Sequence, residues 1–179
     1  MTDMANLAAR LQDGSLAGRW VLSPERTTVA FQSSSMWGLI KVKGRFAEVQ
    51  GEGKVDPSGA ISGRLDIDVA SVDTGKGKRD THLKSTDFFD AATHNHITFL
   101  ATDVAVKDDN RLYVSGELTI AGQSHPYSLD VTVTDVDETG ATLVASSVID
   151  RSQWGIDWTK MGMTKMDTGV EIQARFTRA

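Results

Sequence analysis

The chain contains no cysteine. That absence excludes disulfides, thiolate nucleophiles and Cys-based zinc sites. Proline is scarce, three against sixteen glycines, so turns are many and rigid linkers few. A basic surplus is also missing. The formal net charge is -5, which argues against a general binder of nucleic acid or anionic membranes, since both need excess Lys and Arg. No stretch approaches the roughly 20 apolar residues of a membrane span. The N-terminal MTDMANLAARLQDGSLAG does not read as a secretory leader, because Asp3 comes early and Arg10 and Asp13 interrupt the apolar run. These absences predict a soluble, cytoplasmic protein.

What remains is a chain of 179 residues, a length that suits one domain and buries a core without staples. Residues 1–17 read as an N-terminal extension compatible with a short helix, with Leu7 and Leu11 at i, i+4 spacing and Asp13-Gly14 as its stop. From Trp20 onward the period is two. Val29 and Phe31 alternate with Ala30 and Gln32. Leu65, Ile67 and Val69 alternate with Arg64, Asp66 and Asp68, the cleanest half-buried strand. Ile97, Phe99 and Ala101 follow, then Leu112, Val114, Leu118 and Ile120, then Leu129, Val131 and Val133. Turn signals fall between them, such as Asp56-Pro57-Ser58-Gly59 and Ala121-Gly122-Gln123. About eight strands result. The fold class is mainly all-β: residues 18–179 form one antiparallel barrel of a size that encloses one small ligand. Gly75 to Asp90 reads as a helical turn and loop, and Ser152 to Thr168 has little strand character.

Several residue groups invite chemical readings. Asp80 can orient His82 as a general base, with Arg79 stabilising an oxyanion. The same residues can equally clamp a short connection while Phe88 and Phe89 anchor it. The structural reading is preferred, because no nucleophile elbow or metal motif accompanies the cluster. His94-Asn95-His96 puts two imidazoles on one side of a strand but needs a distant third ligand, such as His125. Gly75-Lys76-Gly77-Lys78 lacks phosphate-loop spacing. Asp135, Asp137 and Gly140 imitate the start of a calcium loop, but Ser146 stands at its last position, so a hairpin turn is expected. The expectation is no metal and no catalytic residue. Trp and Met supply broad, adaptable apolar surface. Trp154 to Met166, with Met36 and Trp37, reads equally well as a flexible lid or a permanent plug over the barrel's open end.

Together these residues resemble the YceI-like family, lipocalin-like proteins regarded as polyisoprenoid binders. The resemblance runs from about Trp20 to Phe176. Its most specific stretch is Arg79-Asp80-x-His82-Leu83-x-Ser85-x-Asp87-Phe88-Phe89-Asp90, followed by Ile97-Thr98-Phe99. Val114-x-Gly116-x-Leu118-Thr119-Ile120-x-Gly122, Arg151-Ser152-x-Trp154-Gly155-Ile156 and the early Val42-x-Gly44-Arg45-Phe46 also match. This chain departs from many members in an N-terminus that does not read as the expected signal peptide, in carrying Ser34, Ser35 and Met36 where a His is common, and in Asn95 where a Pro is common.

The resemblance implies an eight-stranded lipocalin-like barrel with an elongated pocket for an isoprenoid chain of polyprenyl or quinone type. The expected function is non-enzymatic binding, storage or transport of that lipid. No cofactor is required; the expected partner is the isoprenoid lipid or quinone, with no nucleic acid, no integral membrane insertion, and homodimerisation left open. The expected ligand contacts are Phe31, Met36, Trp37, Phe46, Leu65, Ile67, Phe88, Phe99, Leu118, Ile120, Trp154, Trp158, Met161 and Met163. Two alternatives stand beside this: a hydrolase or isomerase using Asp80 and His82, and a stress-related assembly protein whose barrel is filled by its own side chains.

Overall fold

The computed structural model describes residues 7–35, 40–137, 139–159, 162 and 164–179. Met36, Trp37, Met161 and Met163 lie outside the described residues, so the expectations placed on them are not addressed by the structure. Eleven strand segments make one antiparallel sheet that closes into an eight-stranded barrel. The ring runs β1 (Gly18–Leu22), β4 (Val49–Val55), β5 (Ile61–Asp68), β7 (His96–Asp108), β8 (Arg111–Ile120), β9 (Gln123–Val136), β10 (Gly140–Asp150) and β11 (Asp167–Arg178), which returns to β1.

The remaining segments continue ring strands past a kink. β2 (Thr28–Ser35) prolongs β1 beyond a 3-10 turn at Pro24–Arg26, and both pair with β11. β3 (Ile40–Phe46) stands to β2 as β4 stands to β1. β6 (Val72–Asp73) prolongs β5 beyond a 3-10 turn at Val69–Ser71 and pairs with β3. β7 pairs with β5 only as far as Asp68↔His96. β7 begins at His96, so β6 has no partner in β7, and α2 (Gly77–Leu83) and the turns after it lie in the chain between the two. Leu83, Phe88 and Phe89 pack there against the core.

Alternation decides which side chains point inward. In β5, Leu65 and Ile67 face the interior, while Arg64 and Asp66 pair outside at 2.7 Å, with Thr98 donating to Asp66 at 2.8 Å. Val69, expected to continue that strand, is buried in the 3-10 turn instead. The β8–β9 hairpin turns on Ala121 (φ 49°) and Gly122 (φ 79°) between Ile120 and Gln123. Two successive positive φ values are the requirement of a type I′ turn. Gly122 also lets the His94 ring lie close, since a Cβ there would sit 2.5 Å from its Cε1.

At the other end, α1 (Leu7–Gln12) closes the barrel. Leu7, Leu11 and Leu16 are buried with Trp20, Leu112 and Val133. Of the described part of the N-terminal segment, Leu7, Leu11 and Leu16 thus belong to the core. Arg175, in β11, is buried and bonds Asp135 at 3.4 Å and Asp137 at 3.2 Å. No helix among the described residues is long and apolar enough to cross a membrane.

Candidate functional site: a two-chambered barrel interior

The described side chains do not fill the barrel. A cavity of about 420 Å³ lies toward α2, and one of about 240 Å³ lies toward α1. Leu65, Phe99, Leu129, Ala145 and Ile172 line both and form a waist between them. The larger chamber falls within the size range of small-molecule sites, and its walls are mostly aliphatic and aromatic.

The expected contact residues distribute as follows. Phe31, Phe46, Leu65, Ile67, Phe88, Phe99, Leu118, Ile120 and Trp158 line the larger chamber. Phe31 and Phe46 have ring centroids 5.5 Å apart, and Phe46 and Phe89 are 5.9 Å apart. Phe31 occupies this position because Gly44 lies under it: a Cβ at Gly44 would be 2.4 Å from the Phe31 Cζ. Trp154 departs from expectation. It is not among the cavity walls but is buried, its indole N–H donating to the Leu118 carbonyl at 2.9 Å and its ring against His125 and Tyr127. It ends a short 3-10 turn, Arg151–Trp154, whose first residue is also buried. The Trp154 end of the expected lid is therefore fixed into the core.

The charged cluster has a geometry of its own. Asp80 accepts from the Thr74 amide at 2.9 Å and from the Thr74 hydroxyl at 2.5 Å. Arg79 donates to the Thr74 hydroxyl at 2.9 Å and carbonyl at 3.0 Å. These bonds clamp the end of β6 to α2. The Thr74 hydroxyl, and then its amide, hold the Asp80 carboxyl below the usual carboxylate range. His82 does not pair with Asp80; its Nε2 meets Asp87 at 2.8 Å. The dyad on which the hydrolase or isomerase alternative rested is thus not formed. His94 precedes β7, which begins at His96, so the two imidazoles do not share a strand as expected. Among the described residues no group of three or more metal-ligating side chains is gathered.

Sequence reasoning missed the polar end of the larger chamber. Arg79, His82, Arg151, Thr164 and Thr168 join its wall. Arg151 donates from Nη1 to the Ile156 carbonyl at 3.0 Å and from Nε to the Lys165 carbonyl at 3.3 Å. Its guanidinium carbon lies 5.4 Å from the Phe88 ring centroid. Burial pulls its pKa below the ordinary value, with Asp157 and Asp150 acting the other way. The only advance signal for Arg151 was its place in the Arg-Ser-x-Trp-Gly-Ile run.

A model of the YceI-like domain matches residues 20–177. A UPF0312 protein of Vibrio parahaemolyticus is 29% identical over 128 residues, covering 69% of this chain and 67% of that protein. One from Vibrio cholerae is 38% identical over 91 residues, covering 50% of this chain and 48% of that protein. The chain thus spans about half the length of the Vibrio cholerae relatives it matches. Among solved structures, Burkholderia cenocepacia BcnA superposes with a TM-score of 0.78 at 24% identity, over 86% of this chain and 98% of its own. A polyisoprenoid binding domain from Saccharophagus degradans, implicated in plant cell wall breakdown, gives 0.74 at 17% identity, over 89% and 98%. Likeness at these identities establishes the barrel fold, and the domain match establishes the kinship: the chain belongs to the YceI-like family.

Proposed function

We propose that this protein is a non-enzymatic binder that stores or carries a long-chain isoprenoid lipid, of polyprenyl or quinone type, in the barrel interior. The observation that carries the reading is the unfilled apolar interior, two chambers of about 420 and 240 Å³ in line across one waist. A self-filled barrel would leave no such space. The Saccharophagus degradans domain named for polyisoprenoid binding shares the fold, which supports the same ligand class here.

The energetics suit a prenyl tail. Each isoprene unit buries about five carbons, so it gains roughly 3 to 4 kcal/mol at ~0.8 kcal/mol per methylene-sized group. Ordering the tail and losing rigid-body freedom offset much of that gain. Affinity therefore rises with chain length until the second chamber is full. No covalent step is required. In this reading the protein works in the cytoplasm, a placement that cell fractionation tests.

The test of the function is mass spectrometry of an organic-solvent extract from protein purified without detergent. Co-purified prenyl lipid, and saturable binding of added prenols, is the expected result. An extract without lipid, together with no binding of any prenol, would falsify the reading.

A further inference from the structure

The backbone pairing of the barrel wall is interrupted at one seam of the ring. β10 pairs with β11 along its whole length, from Gly140↔Thr177 to Asp150↔Asp167. β9 pairs with β8 from Ile120↔Gln123 to Arg111↔Thr132. Between β9 and β10 the pairing begins at Ala141↔Val136 and stops at Val144↔Thr132. Yet β10 runs on to Asp150, and β9 reaches back to Gln123. Residues 145–150 of β10 and 123–131 of β9 therefore have a ladder on one side only. At about 3.3 Å per residue, the unpaired run of β10 is about 20 Å long.

The sequence supports this break. Pro126 lies within the unpaired run of β9, opposite Glu117 of β8. Proline has no N–H to give a ladder, so within sheets it is confined to free edges, strand starts and bulges. Side chains close what the backbone leaves open. The Tyr127 and Ser147 hydroxyls bond each other across the seam. Trp154, at the end of the turn after β10, sets its ring 5.5 Å from His125 and 6.2 Å from Tyr127 of β9. Both edges border the cavity. Tyr127, Leu129, Ala145, Ser147 and Ile149 line the larger chamber, and Leu129 and Ala145 belong to the waist. On the outer face beside them, Val148 is 65% exposed.

Resting on the lipid-binding reading above, we infer that the unpaired β9–β10 seam is the lateral passage by which the ligand enters and leaves the chambers, with the Tyr127–Ser147 bond as its latch. Opening there breaks a hydroxyl–hydroxyl bond and no backbone pair, whereas parting β10 from β11, or β8 from β9, breaks a ladder along its length. A tail passing sideways reaches both chambers at the waist. It need not be threaded end-on past Leu7 and Leu11 of α1, or past Leu83, Phe88 and Phe89 on the side of α2.

The chain has no cysteine of its own, so an introduced pair can be linked without side reactions. Carrying the Val144↔Thr132 register onward sets Val148 opposite Ser128, both exposed and neither lining a chamber. The experiment links the Ser128→Cys/Val148→Cys variant with dibromobimane. The control is Ser146→Cys/Glu171→Cys, an exposed pair facing each other in the laddered β10–β11 seam. Association and release of geranylgeraniol are followed by stopped-flow fluorescence. Linking the β9–β10 seam is expected to slow both by about tenfold or more and to leave the affinity within about twofold, because a gate changes rates and not end states. The linked control keeps wild-type rates. Unchanged rates in the linked seam variant overturn the passage and leave lipid binding standing, as does equal slowing in the control. Where the seam variant resists linking, Tyr127→Phe decides: association severalfold faster supports the latch, and association at the wild-type rate overturns it. Absence of any geranylgeraniol binding by the wild type overturns the lipid reading and the passage with it.

Discussion

The His82 imidazole meets the Trp158 indole edge-on, with ring centroids 4.4 Å apart and planes at 85°. Phe88 completes the cluster, 5.4 Å from Trp158, and all three line the larger chamber. Trp154, four residues earlier, has its indole N–H on the Leu118 carbonyl and is buried away from the chamber wall. A prenyl ligand is therefore expected to change the emission of Trp158 and leave that of Trp154 unchanged. Trp158→Phe removes the ligand-dependent signal, whereas Trp154→Phe retains it and costs about 1 to 2 kcal/mol of stability through the lost bond. Titrated fluorescence and denaturant melts of both variants check this. A signal that survives Trp158→Phe refutes the assignment.

Phe99 is the one aromatic side chain of the waist between the chambers among the described residues. It lines both, and its ring is edge-on to Tyr127 at 6.4 Å. Phe99→Ala should join the two spaces and let affinity keep rising with tail length beyond the wild-type plateau. The stability cost is roughly 3 kcal/mol or less, at the low end for such truncations because the site already borders empty space. Ile67→Trp should do the opposite and exclude long tails by filling the larger chamber. Affinities measured across a series of prenols distinguish the two. A length dependence unaltered in both variants would place the ligand elsewhere.

Asp80 holds α2 to the end of β6 through Thr74. Asp80→Asn should lower stability by about 1 kcal/mol, the scale of a weakened, partly exposed hydrogen bond. Prenol affinity should stay within twofold, about 0.4 kcal/mol. Thr74→Val should resemble it. Catalytic turnover in the wild type that vanishes in Asp80→Asn, with melting unchanged, would reinstate an enzyme.

Acid should weaken the fold. Asp137 accepts from the Thr139 hydroxyl and amide and from the Gly140 amide, and then from Arg175, so its pKa lies well below the ordinary 3.8. Asp80 is shifted the same way by Thr74. The unfolded chain then binds these protons at higher pH than the folded one. The stabilisation is fully present above the unfolded value and drains away as pH falls through about 4 and below. The thermal midpoint should be level between about pH 7 and 5 as far as these groups govern it, then drop. Asp137→Asn should start lower and show a shallower acid limb. A steep drop of unchanged size in that variant would assign the acid sensitivity to other groups.

Much of the barrel was legible because its physics is local. Leu65 and Ile67 face inward and Arg64 and Asp66 outward as the period of two requires. Phe31, Phe99, Leu118 and Ile120 follow the same rule. The kinks were not legible. Alternation runs on through Val69, yet the chain leaves the strand there, because Asp68 accepts from the Ala70 amide and starts a 3-10 turn. Nor could spacing place Trp154, whose partner is 36 residues away in sequence. Arg151 illustrates the same limit: its type predicts exposure, and only the packing of Phe88 and the loop carbonyls around it puts it inside.

The waist draws one side chain each from β5, β7, β9, β10 and β11, as Leu65, Phe99, Leu129, Ala145 and Ile172. Its bore is a sum of side-chain volumes contributed by separate strands, while the ladders behind it are backbone. Gauge and scaffold can therefore drift independently. A single codon change at Ala145, the smallest of the set, would narrow the passage and leave every strand pairing in register. On the lipid-binding proposal, the tail length the interior accepts can therefore be changed in small steps at the waist while the strand pairings stay as they are.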